Sequence, residues 1–210
     1  MSVTTGQKIA SGRGGAGQGA AGGVTARQDA ARQGTSPGDV PEIAAGRFML
    51  RPVRRSDAGL LALHAGDRRV AEGTRSIPHP LPPGTTEAFI ARALSGDGGE
   101  DVWIMDGTAA GSAEVLGVIS LTRLDRGQSQ IGYWVAPAFW NTGVATEAVR
   151  TLIEANPHGA RTLFAEVFQD NAVSARVLTN CGFEYLGDAE AWSVARASRV
   201  ATWTYLRRMD

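Results

Sequence analysis

Ile131-Gly132-Tyr133-Trp134-Val135-Ala136-Pro137 reads as a strand closed by a proline, and Val144-Ala145-Thr146-Glu147-Ala148 opens a helix-like run; Trp140-Asn141-Thr142-Gly143 joins them. A strand that turns through a short glycine-bearing loop straight into a helix constrains the fold strongly, because the helix must then lie back over the sheet. The bend also has a chemical consequence. The first amides of a helix lack internal acceptors and sit at the positive end of the dipole, so they suit an anion. At Gly143 and Ala145, side chains larger than methyl would hold phosphate oxygens away from those amides. A pyrophosphate fits such a place.

Further along, Phe164-Ala165-Glu166-Val167-Phe168 reads as another strand, followed by the polar turn Gln169-Asp170-Asn171 and the helix-like run Ala172–Asn180. Asn171 stands where a helix cap is expected, and Gly182 of Cys181-Gly182-Phe183 where the helix must stop.

In this order and spacing the two stretches resemble the GNAT N-acetyltransferases. The nearer likeness is to their ribosomal-protein N-terminal acetyltransferase-like branch, in which W-G-x-G-x-A-T-E-A follows I-G-Y-W and N-x-x-S precedes G-F. The resemblance spans about residues 47 to 207 and is weakest in its first third. It implies an α/β fold with a mixed α+β sheet, mostly antiparallel, splayed between the fourth and fifth strands and flanked by helices on both faces. It implies acetyl-CoA as co-substrate, with Asn141, Thr142, Gly143, Val144, Ala145 and Thr146 at the pyrophosphate. Trp134, Val135 and Ala136 would pair with the pantetheine arm like an added strand, and Asn171 would hold its leaving end. An amine acceptor, a peptide N-terminus or a small molecule, would attack the thioester directly. Either a monomer or a homodimer joined through the C-terminal strands fits the resemblance.

Two positions depart from the family. The tyrosine that many relatives place seven residues after the capping asparagine is Leu178 here, which leaves Ser174 as the hydroxyl to protonate the departing thiolate. The carboxylate that often precedes I-G-Y is Gln130, so the base is either water or a residue of the first third. His79, in the stiff run Ile77-Pro78-His79-Pro80-Leu81-Pro82-Pro83, is the candidate there, since imidazole titrates near neutrality; Glu87, Glu100 and Asp101 are alternatives. Cys181 is expected to be buried filler, because a helix C-terminus disfavours a thiolate. A catalytically silent acyl-CoA-binding module remains an alternative from another class, and a small-molecule, antibiotic-type acetyltransferase a third.

Other classes are excluded more simply. The only lysine is Lys8, so no G-K-[S/T] phosphate loop exists, and His64, His79 and His158 have no metal-ligand spacing. One cysteine allows no internal disulfide, and no metal is expected. A net charge of zero argues against nucleic acid as a partner. No apolar run reaches membrane-spanning length and no secretory core leads the chain, so a soluble, cytoplasmic protein is expected. Residues 1–45 are rich in Gly, Ala, Ser, Thr, Gln and Arg, and Phe48-Met49-Leu50 is the first clear apolar cluster. Such a stretch cannot offset its ordering entropy by burial. It is expected to be a disordered tail, with the domain over 46–210. The G-x-G-x-x-G matches at Gly12/Gly14/Gly17 and Gly17/Gly19/Gly22 neither follow a strand nor open a helix, and so carry no dinucleotide reading.

Periodicity supplies the remaining elements. Strands are predicted at 48–53, 102–105, 115–121 and 128–135, with a Gly-rich turn around 107–111. Helices are predicted after Ser56-Asp57 through Leu60, Leu61 and Leu63, near Thr85 or Thr86 through Leu94, and to about Asn156. A hairpin of 185–194 and 200–206 closes the chain.

Overall fold

The computed structural model describes residues 40–96 and 98–209. Eight strands form one sheet: β1 Ile43–Ala44, β2 Met49–Pro52, β3 Glu100–Asp106, β4 Gly117–Leu124, β5 Gln128–Val135, β6 Thr162–Phe168, β7 Glu184–Ser193 and β8 Ser198–Arg208. Their order is β1-β2-β3-β4-β5-β6-β8-β7, and only the β5–β6 pair is parallel. The helices are α1 Ala58–Ala65, α2 Arg68–Glu72, α3 Thr85–Ser95, α4 Val144–Ala155 and α5 Ala172–Asn180.

Alternation along β3 separates two apolar layers. Val102 and Ile104 pack with Leu61 of α1 and Ile90 of α3, whereas Trp103 and Met105 pack with Val149 and Leu152 of α4 and Leu178 of α5. Helices therefore cover both faces, as the resemblance implies. Leu63, expected on the apolar stripe of α1, is 68% exposed. Asp57 precedes α1, but its carboxylate serves elsewhere. It accepts from both terminal nitrogens of buried Arg51 at 2.9 and 2.8 Å, while Arg51 Nε donates to Asp106 at 2.6 Å. This buried cluster pins β2 and β3 to the entry of α1.

Register accounts for the splay. β5 and β6 pair only from Gln128↔Thr162 to Gln130↔Phe164, after which β5 stays with β4 and β6 stays with β8. The strands expected as fourth and fifth are the pair that opens, and they are numbered β5 and β6 here because β1 takes first place. β1 also moves the expected start of the domain. Ile43 pairs with Leu50, Trp103 Nε1–H donates to Pro41 O at 2.8 Å, and Val40, Ile43 and Ala45 rest on the core. Residues 40–45 were expected in the tail because their few apolar groups are too scattered to show a period; the edge of β2 recruits them. The rest of the expected tail, residues 1–39, lies outside the described residues.

Candidate active site

Beyond the splay, β5 has a free edge, and a cleft of about 590 Å³ opens against it. One wall is the loop after β5. Asn141 and Gly143 both take left-handed backbone angles, φ 61° and 84°, which turn the chain into α4. The first intrahelical bond is Glu147 N–H to Gly143 O at 3.0 Å, so the amides of Val144, Ala145 and Thr146 have no acceptor within the helix. Asn141, Gly143, Val144, Ala145 and Thr146 all line the cleft. Thr142 does not: its hydroxyl donates back to Phe139 O at 2.6 Å and its carbonyl accepts from Arg47 at 2.9 Å.

Arg47 is a residue that sequence reasoning missed. Its backbone N–H and Nε both donate to Glu147, at 2.8 and 2.6 Å, so one arginine ties the start of the sheet to the loop and to the first turn of α4. The A-T-E-A run held half of this pair, but its partner is a hundred residues away and no local pattern joins them.

Trp140 turns its indole N–H inward onto Val135 O at 2.7 Å, and the Arg69 guanidinium lies 5.3 Å from its ring centre. Arg69 is fixed by Asp67, the cap of α2, whose carboxyl is lowered to about 2 chiefly by the arginine's side-chain hydrogen bond. The short helix α2 thus forms the wall facing the loop. Its C-terminal carbonyl, Glu72 O, accepts from Arg196 Nε and Nη2 at 3.0 and 2.7 Å. Arg196 also pairs with Asp170 and covers the Phe168 ring at 4.9 Å, joining α2, the β6–α5 turn and the β7–β8 hairpin. Nothing in the sequence singles out Arg196 or α2.

Of the three residues expected at the pantetheine, Trp134 and Val135 line the cleft and Ala136 does not. Ala136 N–H is bonded to Leu116 O at 2.8 Å. Antiparallel alternation then turns the N–H groups of Tyr133 and Val135, not those of Trp134 and Ala136, to the free edge. Of the expected set, Val135 alone turns its N–H to that edge.

Across the cleft, Asn171 Oδ1 caps α5 by accepting from Ser174 N–H at 3.1 Å, and both residues line the cleft. Thr74, Thr142 and Thr179 return their hydroxyls to nearby carbonyls. Ser174 Oγ has no hydrogen-bond partner among the described residues. Tyr133 reaches over from β5 and donates its phenol to Ser174 O at 3.2 Å; burial pushes that phenol well above its ordinary pKa. The Leu178 position that departs from the family is wholly buried. Cys181 is 5% exposed, its thiol is raised by burial, and Sγ faces Thr146 O at 3.6 Å rather than the cleft.

A second, smaller cleft of about 390 Å³ lies along the preceding residues of β5, lined by Arg75, Ser76, Glu100, Ser120, Thr122, Gln130, Ile131, Gly132, Trp192 and Val194. Two separate segments change clefts at consecutive residues. Gly132 lines the smaller and Tyr133 the larger; Thr74 lines the larger and Arg75 the smaller. The linings of the two clefts thus adjoin along β5, just past its pairing with β6. His79 lines neither. It is exposed and near Asp67, because the proline-rich run carries it away from β5. Glu87 is also exposed outside both clefts, and Asp101 faces the opposite side of β3, bonded to His158 at 2.9 Å. Among the described residues no group of three metal-ligating side chains occurs, and no helix is long and apolar enough to cross a membrane.

This arrangement has many counterparts among solved structures. A ribosomal L7/L12 α-N-protein acetyltransferase in complex with coenzyme A superposes with TM-score 0.70 at 16% identity, over 81% of this chain and 99% of that one. The Mycobacterium smegmatis RimJ protein, with a coenzyme A disulfide, gives 0.67 at 19% identity over 83% and 90%. The microcin C7 self-immunity acetyltransferase, with acetyl-CoA and AMP, gives 0.67 at 16% over 78% and 93%. At such identities the likeness is one of fold. No curated protein sequence matches. The family model of the acetyltransferase (GNAT) domain matches residues 47–184, from the arginine that ties down the loop to the first residue of β7. With the loop, the splay and the capped α5 in their places, the chain belongs to the GNAT acetyltransferase family.

Proposed function

We propose that this enzyme transfers the acetyl group of acetyl-CoA to a primary amine by direct attack while both are bound. The carrying observation is that consecutive residues of β5, Gly132 and Tyr133, line the smaller and the larger cleft, which supports amine and thioester approaching one another there. The amides of Val144, Ala145 and Thr146 receive the diphosphate, and the free-edge groups of Tyr133 and Val135 receive the pantetheine. A backbone N–H on that edge faces the oxyanion as the amine nitrogen adds to the carbonyl carbon. Collapse breaks the C–S bond, Ser174 Oγ–H gives its proton to the thiolate, and the proton lost by the acylated nitrogen returns to Ser174 through water. Glu72 and Asp170, the carboxylates on the larger cleft, are ion-paired with Arg68 and Arg196. Glu100, the carboxylate of the smaller cleft, stands two residues along and two strands across from Gly132, so water takes the ammonium proton. An α-amino group, with pKa about 7.7–8.0, needs only such modest help.

The acceptor is a peptide N-terminus or a small-molecule amine. Coenzyme A release measured against a panel of both, at fixed acetyl-CoA, tests the reading. Amine-dependent thiol release supports it. Tight coenzyme A binding with no release for any amine would instead mark a silent acyl-CoA-binding module.

A further inference from the structure

The smaller cleft carries one uncompensated charge. Glu100, at the start of β3, is half-buried in its lining, and among the described residues no hydrogen bond or ion pair engages its carboxylate. The one cation in that lining, Arg75, is neutralised by an ion pair with Glu166, which also accepts from Thr202 Oγ1 at 3.2 Å. The far end of the cleft is thus anionic, in a partly enclosed place where water screens charge less than in bulk.

Register places Glu100 relative to the reacting groups. Val102, Ser120 and Gly132 form one cross-strand row and Glu100, Thr122 and Gln130 form the next but one along each strand. Glu100 is two residues along and two strands across from Gly132, which puts its Cα about 12 Å from the junction. That is too far to deprotonate an amine attacking there. We propose instead that Glu100 is a specificity-determining residue that receives a second positive charge on the acceptor, roughly 10 Å from the nitrogen being acetylated. Trp192 and Val194, apolar and 56% and 43% exposed, form a wall along which the uncharged part of such an acceptor can lie. The chemistry is that of a dication: an α,ω-diamine, or a short peptide with lysine or arginine close behind its N-terminus. The inference rests on the smaller cleft being the acceptor side.

Initial rates of thiol release test it with two pairs of probes: diamines of rising length against monoamines of equal length, and N-terminal tripeptides with lysine against norleucine at the third position. The parent is expected to favour the dication of one or both pairs by about two- to fivefold in kcat/KM, as one partly screened ion pair would give. Glu100→Gln should bring that ratio toward one, mainly through KM for the dication. Whichever pair shows the ratio identifies the source of the acceptor. No preference in the parent, or a preference that survives Glu100→Gln, overturns the proposal while leaving the acetyltransferase reading standing. Turnover of no amine at all overturns both.

Discussion

Tyr133 bridges the gap where β5 and β6 part, donating to Ser174 O at 3.2 Å from the strand whose free edge lines the larger cleft. Its hydroxyl therefore positions the backbone that carries Ser174 Oγ. Tyr133→Phe removes one neutral hydrogen bond, a loss of about 1 kcal/mol in stability. Because the lost contact sets where Ser174 stands, kcat is expected to fall several-fold with little change in KM for acetyl-CoA. Ser174→Ala should lower kcat further, since protonating the thiolate matters only as the C–S bond breaks. Steady-state kinetics of both variants check this; an unchanged kcat in Ser174→Ala would remove it from the chemistry. Gly143 is a different case. A Cβ built there meets only Arg47 Nη2, at 3.4 Å, so space is adequate; the constraint is its φ of 84°. Gly143→Val forces a branched side chain into the left-handed region, about 1–3 kcal/mol of strain, and puts methyls where the diphosphate meets the helix. Calorimetry should show coenzyme A affinity lost while the variant remains folded.

At the scale of elements, β1 is only two residues long, yet it closes the edge of β2 and carries the chain to the carbonyl that holds Trp103. Removing residues 1–45 strips those contacts, and a fall in melting temperature of several degrees is expected, as for the loss of 1–2 kcal/mol from a domain this size. Removing residues 1–39 leaves them in place and tests the same point from the other side. Elements with a period or a cap were legible in advance. β5 was expected at its observed bounds, and Asn171 and Gly182 marked both ends of α5. β1 and α2 were not, because two and five residues have no period to read. The fixed points of the site, Arg47 with Glu147 and Arg196 with Asp170, were hidden for the same reason: each pair is made by the fold, not by neighbours in sequence. His79 was drawn in by its chemistry, and its placement on a proline-rich loop depends on packing that no local pattern shows.

The buried end of the sheet makes a further prediction. His158 Nε2–H donates to Asp101 at 2.9 Å, and Nδ1 meets Ser129 Oγ at 2.8 Å. The Asp101 carboxyl is held below its ordinary value of 3.8, first by that histidine. A depressed carboxyl contributes its stability in full above the unfolded value and loses it as pH falls through the folded one. Denaturant unfolding should therefore weaken more steeply below pH 3.8 in the parent than in His158→Gln. Parallel curves would show that the bond carries no such linkage.

For the whole molecule, the central feature is that one short parallel pairing, three residues deep, holds two half-sheets together and lets them part beyond it. The opening leaves β5 with a free edge at the boundary between the linings of the two clefts. With Cys181, the one cysteine of the chain, buried and its thiol raised, no thiol nucleophile is offered to the acetyl group. The most direct measurement is a single-turnover chase. Enzyme in excess is loaded with isotopically labelled acetyl-CoA, sampled by intact-protein mass spectrometry, and then mixed with amine. Direct transfer predicts unlabelled protein before mixing, no coenzyme A release until amine is added, and label passing to the amine as the thiol appears. An acetylated protein formed from acetyl-CoA alone, and discharged by the amine, would contradict it.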